Sequence, residues 1–490
     1  MPVHLCSHCC RLPLAILLLS SLDLAAEVRG EGPYQATGFK VGEVTDSTAI
    51  VWTRLTRNTE RNSAQAPMVS FETKKQQVNN KSRKFVSRVV YPKGSTVADI
   101  QYAVPGAAGQ VRVKYRVVDT PTWNITNWQA VETDRDFVRH FQLNRLESNT
   151  KYDIQVQSKP LDSDRIGQTL AGHFHTAPAS DETAKVVFTV STGQAFKDRD
   201  NEDGYVIYPL MLDLQPQFFV HTGDIVYYDT LAKTLELARY HWQRTYSLPT
   251  NFQFHNNVSS YFIKDDHDTW QNDSWPTMDG RKMFQFTFKQ GLATFKEQVP
   301  MSDSTYRTRR WGRDLQIWMV EGRDFRSPNT DSDGPGKTIW GREQKEWLKR
   351  TVEASNATFK ILISPTPIVG PDRENKHDNH SNIDFTHEGD EVREFIAKQK
   401  NMVVVCGDRH WQYMSIHPKT GVREYSCGPA SDSHAGGWQQ DDFRQDYHRY
   451  LNVIGGFLSC TVERDAGTPK MTFRFHDSKG KIRYSDTLVK

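Results

Sequence analysis

The chain of 490 residues has almost no excess charge of either sign: 62 Lys and Arg stand against 59 Asp and Glu, a net of +3. That balance supplies neither the basic field of a nucleic-acid binder nor a membrane-surface patch. Cysteine is scarce where it would matter. Cys6, Cys9 and Cys10 crowd the first ten residues, which leaves Cys406, Cys427 and Cys460 in the remainder. No Cys-x-x-Cys spacing occurs outside that leader, which argues against a structural zinc site. Cys406 lies inside the apolar run 402–406 and reads as a core thiol, whereas Cys427 and Cys460 could pair in an oxidising compartment. Internal repeats and low-complexity tracts are also missing, so the chain is not a solenoid or a linker-rich array.

The first thirty residues stand apart. Arg11 precedes the apolar run 12–19, and Ala25, Ala26 and Gly30 follow. The run is too short for a membrane span and has the grammar of a signal peptide over 1–30. The expected location is therefore export, to a periplasm, cell envelope or extracellular space, with no stable membrane span once the leader is removed.

Over 36–178 the text is β-like. TAIVWTRL at 48–55 mixes β-branched and aromatic residues, and QVRVKYRVV at 110–118 and YDIQVQ at 152–157 alternate. An all-β, fibronectin/Ig-like sandwich is the simplest account, with packing as its expected role. Over 184–490 the grammar changes. Buried strands at 184–190, 217–222, 260–264, 315–321, 359–364 and 402–406 are separated by helix candidates at 230–246, 281–297 and 342–355. This alternation predicts an α/β domain. Strands return after 426, with a hairpin turned at 477–480.

Three strand ends carry ligand-type side chains. The first, within FFVHTGDIVYYD at 218–229, offers Asp224, Tyr227 and Asp229. The second offers Asp265, Asp266, His267 and Asp268, followed by Asn272. The third offers Asp408, Arg409 and His410. Carboxylates and imidazoles at the carboxyl ends of α/β strands suit hard cations gathered in one crevice. Gly-Asp also opens ordinary loops, and a buried Asp often caps a helix. Three carboxylates and an imidazole after one apolar run are harder to explain without a compensating charge. Weaker signals are His377, His380 and His387 in a polar stretch, and SDSHAGGW at 431–438, whose His434 either borders a substrate or sits in a turn.

The order of these motifs resembles the alkaline phosphatase D (PhoD-like) family of metallophosphatases. GFKVGEVTDSTAIVWTRL and AGHFHTAP are similar to the entry and exit of that family's β-domain. HTGDIVYYD, IKDDHDTW, EGRDFR and CGDRHW follow in the family's order. The resemblance implies an αββα metallophosphatase-like sandwich after the β-domain. It implies an exported enzyme that hydrolyses phosphate monoesters or diesters of a small-molecule or polymer substrate through a metal-activated water. It places two or more metal ions, iron and calcium in the family, on Asp224, Tyr227, Asp265, Asp266, Asp408 and His410. Arg323, Arg326 and Arg409 would hold substrate, Arg323 would also stabilise developing charge, and His267 or His410 would protonate the leaving alkoxide. One departure stands out. Where the family's first catalytic strand ends in Ser-Cys-Gln, with the cysteine on iron, this chain reads Ser191-Thr192-Gly193-Gln194. That replacement leaves open an iron site rebuilt with oxygen ligands such as Gln194, a changed metal, or a non-catalytic surface protein that retains the fold.

Overall fold

Apolar residues at every second position along the buried strands build one core between two large sheets. Val186, Phe188, Val190, Phe218, Val220 and Tyr261 contribute from one sheet; Ile317, Met319, Ile361, Ile363, Val403 and Val405 contribute from the other. The structure, a computed structural model, describes residues 32–79 and 82–490; the leader at 1–30 lies outside the described residues. The first sheet has nine strands, in the order Ile482–Val489, Thr468–Asp477, Gly456–Asp465, Val186–Ser191, Phe218–His221, Ser259–Phe262, Phe39–Gly42, Thr48–Arg54 and Val138–Asn144. The second has seven, in the order Arg307–Trp311, Leu315–Met319, Phe359–Ser364, Met402–Cys406, Arg423–Cys427, Gln412–Ile416 and His448–Asn452.

The intervening residues of the central strands face outward and are covered by helices. Trp318, Leu362 and Val404 pack with Leu348 and Val352 of the helix Gly341–Glu353 and with Val392 and Ile396 of the helix Thr386–Ala397. Phe219 packs with Ile207, Tyr208 and Met211 of the helix Ile207–Asp213 and with Phe254 of the helix Pro249–Asn257. The layers are therefore αββα, and burial on both faces explains why these strands read as continuous apolar runs. Among the described residues no helix is long and apolar enough to cross a membrane.

Within the β-rich stretch 36–178 two sheets face each other, while Ser70–Asn79 and Ser82–Val90 pair as a separate two-stranded sheet. Phe39, Val41, Ala49 and Val51 face Val111, Val113, Ile154 and Val156 across a second apolar core. One of its sheets is continuous with the large sheet, because Phe39–Gly42 pairs in parallel with Ser259–Phe262 through Gly42 and Ser260. The joint is reinforced by buried polar contacts. Trp52 donates through Nε1 to the Glu297 carbonyl at 2.8 Å, and Arg307 meets Glu43 at 2.7 Å. All three cysteines among the described residues are free and buried. The Cys427–Cys460 bond left open by the sequence is thus not formed; the two thiols sit on opposite sheets of the main core.

Candidate active site

Register places the ligand-bearing loops side by side. Val186–Ser191, Phe218–His221 and Ser259–Phe262 are consecutive parallel neighbours, with Ser191 opposite His221 and His221 opposite Phe262. Their carboxyl ends open in one direction, the usual ligand end of such a sheet. Gly223, at φ +112°, permits the closest approach: a Cβ there would lie 2.6 Å from Asp265 Cβ. Asp224 and Asp408 both hold left-handed backbone, φ +57° and +62°, which is unfavourable for residues with a Cβ and recurs at functional sites.

Asp224 is buried beside two kinds of partner. Tyr227 Oη donates to its Oδ2 at 3.1 Å, and His410 Nε2 lies 3.6 Å from the same oxygen. Asp224, Asp266 and His267 each offer a ligand atom within 4.8 Å of the others. His267 Nδ1 is fixed by Asp229 at 3.0 Å, and its ring lies against Tyr227 with centroids 4.3 Å apart. Arg323 donates through Nε to Asp265 Oδ1 at 2.7 Å and through Nη1 to the Ser274 carbonyl at 3.3 Å.

Burial and charged neighbours compete over the charge states. It pushes the Asp224 carboxyl up to about 7, with His267 pulling it down and Asp266 pushing it further up. The Asp265 carboxyl also rises to about 7 through burial, against the pull of Arg323. Asp266 stays below the ordinary carboxylate range, because His267 and Arg323 outweigh its burial. His267 is held well above the ordinary imidazole range; burial opposes this, and Asp266 and Asp224 prevail. Asp224 Oδ1, Asp265 Oδ2 and Asp266 Oδ1 are buried without a hydrogen-bond partner, and so is Arg323 Nη2. A buried unsatisfied polar atom costs about 1–3 kcal/mol, and more when charged. Carboxylate oxygens turned inward with nothing to accept fit a bound cation, so the donor set suits the metals that the motif order implies.

The remaining predicted residues occupy other places. Asp268 is a clamp between loops: its carboxylate accepts from Asp265 N at 2.6 Å and Ile225 N at 3.1 Å. Asp408 presses its carboxylate against the Arg409 guanidinium, and Arg409 itself is fully buried and pairs with Asp372 at 3.1 Å and Asp378 at 3.6 Å. Arg326 donates to Asn329 Oδ1 and to the Asp378 carbonyl and lies over Phe385. Asn272 is exposed. In the polar histidine stretch, His380 is buried on Glu388 at 3.1 Å, His387 is exposed, and His377 lines a cleft of about 920 Å³. Asp229 and Asp273 stand in the wall of that cleft with Lys233, Trp275 and Lys282; Asp273 donates its amide to Asp266. Sequence reasoning missed Asp198, at the end of the 3-10 turn Phe196–Asp198, and Asp372 and Asp378, which lie on a loop; none has motif spacing. It left His434 undecided, and the structure sets its Nε2 2.5 Å from Tyr227 Oη.

Residues 188–454, more than half of the chain, match the family model described as PhoD-like phosphatase. Among solved structures the chain is similar to one titled "Structure of PhoD", at 15% identity and a TM-score of 0.71, covering 94% of this chain and 91% of that one. It is also similar to the purple acid phosphatase PPD1 from yellow lupin (Lupinus luteus) seeds, at 12% identity and a TM-score of 0.57, covering 92% of this chain and 74% of that one. At these identities the likeness establishes the fold. No curated protein matches the sequence.

Proposed function

Because the chain belongs to the PhoD-like phosphatase family and is a phosphoric ester hydrolase, we propose that the cluster around Asp224 is its catalytic centre. Phosphate monoesters or diesters are the substrates in this proposal. The observation that carries it is a set of buried atoms without a hydrogen-bond partner: Asp224 Oδ1, Asp265 Oδ2, Asp266 Oδ1 and Arg323 Nη2, the last two 3.9 Å apart. Asp224, Tyr227 and His410 would hold one cation, and Asp224, Asp266 and Asp265 a second, with Asp408 adjoining. Bound there, the cations supply Lewis acidity and neutralise the charge of the phosphoryl oxygens.

The chain's own groups do the rest. Arg323 is fixed by Asp265 and Ser274, so its Nη2 is positioned to donate to a phosphoryl oxygen as charge develops. His267, anchored through Nδ1 on Asp229, keeps Nε2 for the proton that the leaving alkoxide takes up. Arg409 and Arg326 would shape the pocket from behind through Asp372, Asp378 and Asn329. The neighbouring cleft, with Lys233, Arg281 and Lys282 in its wall, supports an ester whose leaving portion is extended and anionic.

The test compares p-nitrophenyl phosphate with bis-p-nitrophenyl phosphate as substrates and measures bound metal on the same preparation. Turnover of at least one ester, with metal present, is expected; their ratio decides between monoester and diester preference. Metal-loaded protein that hydrolyses neither would overturn the assignment of this cluster. Export belongs to the same proposal and rests on the leader at 1–30. Amino-terminal sequencing of protein secreted from the full chain checks it.

A further inference from the structure

His434 is the imidazole that the assigned site does not use. It belongs to SDSHAGGW, far in sequence from the three ligand-bearing strand ends, yet its Nε2 lies 2.5 Å from Tyr227 Oη. Tyr227 Oη is in turn 3.1 Å from Asp224 Oδ2 and 3.5 Å from His410 Nε2. The rings of His410 and His434 lie beside each other, centroids 4.2 Å apart. Tyr227 Oη thus stands within 3.5 Å of ligand-type atoms of Asp224, His410 and His434.

The other side of His434 is fixed as well. Its Nδ1 donates to Asp198 Oδ2 at 2.8 Å, which assigns the ring proton to Nδ1 and turns the Nε2 lone pair toward Tyr227. An imidazole oriented by a carboxylate behind it is the arrangement that metal-ligating histidines use. Gly193 supplies an independent observation. A Cβ built on it would lie 3.3 Å from His434 Cδ2 and 3.5 Å from His410 Cδ2. Residue 193 thus faces both imidazoles, and the side chain it lacks leaves the space that the His434 ring borders. Its φ of +51° suits glycine in particular.

We propose that His434 is a direct metal ligand, completing with Asp224, Tyr227 and His410 a thiolate-free site for a first-row transition-metal ion. The proposal rests on the metallophosphatase assignment and adds a ligand to it. Donors about 2.0–2.2 Å from such an ion stand roughly 3.3 Å apart in a tetrahedral shell. The 3.1, 3.5 and 3.6 Å separations among Tyr227, His410 and Asp224 fit that spacing. Binding of the ion would release the Tyr227 phenol proton to solvent and leave the His434 Nε2 lone pair, now 2.5 Å from Tyr227 Oη, free to ligate. Two imidazoles, a phenol oxygen and a carboxylate form a borderline donor set that takes iron, cobalt or zinc ahead of calcium. The acid pocket of Asp224, Asp265 and Asp266 is left for a harder cation.

The test uses the full chain, stripped with a chelator and titrated with Co(II) as the probe, with bound cobalt counted by atomic emission and its visible d–d bands recorded. Wild type is expected to bind cobalt with a resolved visible spectrum. His434→Ala should bind one cobalt fewer per chain at concentrations that saturate wild type, with the bands altered. Asp198→Asn acts through His434 as a positioning change and should weaken that ion by roughly 10–100-fold. Melting of the stripped proteins shows that both variants fold, and Asp198→Asn carries the test if His434→Ala does not. Wild-type stoichiometry and spectrum in the variants would overturn the proposal, even with Asp224→Asn deficient in metal. Absence of cobalt from wild type, or wild-type binding in Asp224→Asn, would overturn the metallophosphatase assignment with it.

Discussion

Asp224→Asn separates a metal-binding carboxylate from a loop-capping one. The side chain is buried, its Oδ2 accepts from Tyr227, and its Oδ1 has no partner. Asparagine keeps the shape and can still accept from Tyr227, but it carries no charge. In the metal-free protein burial lifts the carboxyl from 3.8 to about 7, which corresponds to on the order of 4 kcal/mol against ionisation. The folded form therefore holds its proton to higher pH than the unfolded chain. The associated stability is complete below pH 4 and is lost as pH rises through about 7. Removing the titrating group abolishes that dependence, so metal-free Asp224→Asn should melt several degrees above metal-free wild type at pH 8 and match it near pH 4. With metal present the order reverses, because wild type gains the binding energy of the ion and the variant does not. Turnover on p-nitrophenyl esters should fall by roughly 10³-fold or more, with a parallel drop in bound metal. The measurements are melting curves with and without chelator at pH 4 and pH 8, metal content, and turnover. A folded variant with wild-type turnover and metal content would refute the reasoning.

Arg323→Ala should behave in the opposite way when metal is absent. Asp265 would be left buried and unpaired, at a cost of roughly 3–5 kcal/mol, so the stripped variant should melt below wild type as well as lose turnover. Asp229→Asn removes the anchor of His267 and one of the acids that hold its imidazole above the ordinary range. The alkaline limb of the kcat profile should move to lower pH, with KM changed little; an unmoved limb would exclude His267 as the proton donor. Cys406, Cys427 and Cys460 are buried and free. Ellman's reagent should therefore label essentially none of the three in native protein and all of them in guanidinium, and reductant should leave the melting temperature unchanged.

Much of the architecture was legible because the relevant signals are local. The central strands announce themselves as apolar runs, and the helix expected at 342–355 appears as Gly341–Glu353, with Gln344, Leu348 and Val352 buried at four-residue spacing. Long-range choices were not legible. The pairing of Gly42 with Ser260 joins segments more than two hundred residues apart, and nothing in either stretch encodes its partner. The helix Thr386–Ala397 was hidden for a different reason. Its buried face includes Glu388 and Arg393, which pair with His380 and with carbonyls, so its polarity resembles that of a loop. The strand-end ligands were visible as motifs, whereas Asp198, Asp372 and Asp378 act only through residues that the fold brings to them.

Asp372 and Asp378 bear on why the proposed centre would need a cation at all. Arginines are abundant around it, yet each is already held by a partner of its own. Arg409 faces Asp372, Asp378 and Asp408. Arg326 is held by Asn329 and by the Asp378 carbonyl. Arg323 gives its Nε to Asp265 and approaches Asp266 no closer than 3.9 Å. Lys264 is locked between Glu321 and Asp324. The outer acids thus hold the cationic side chains one layer back and keep them from collapsing onto Asp224. A centre neutralised by its own arginines would be stable and inert. In this chain His267 and Arg323 offset only part of the charge of Asp224 and Asp266, and in the proposed centre a cation from solvent would supply the rest.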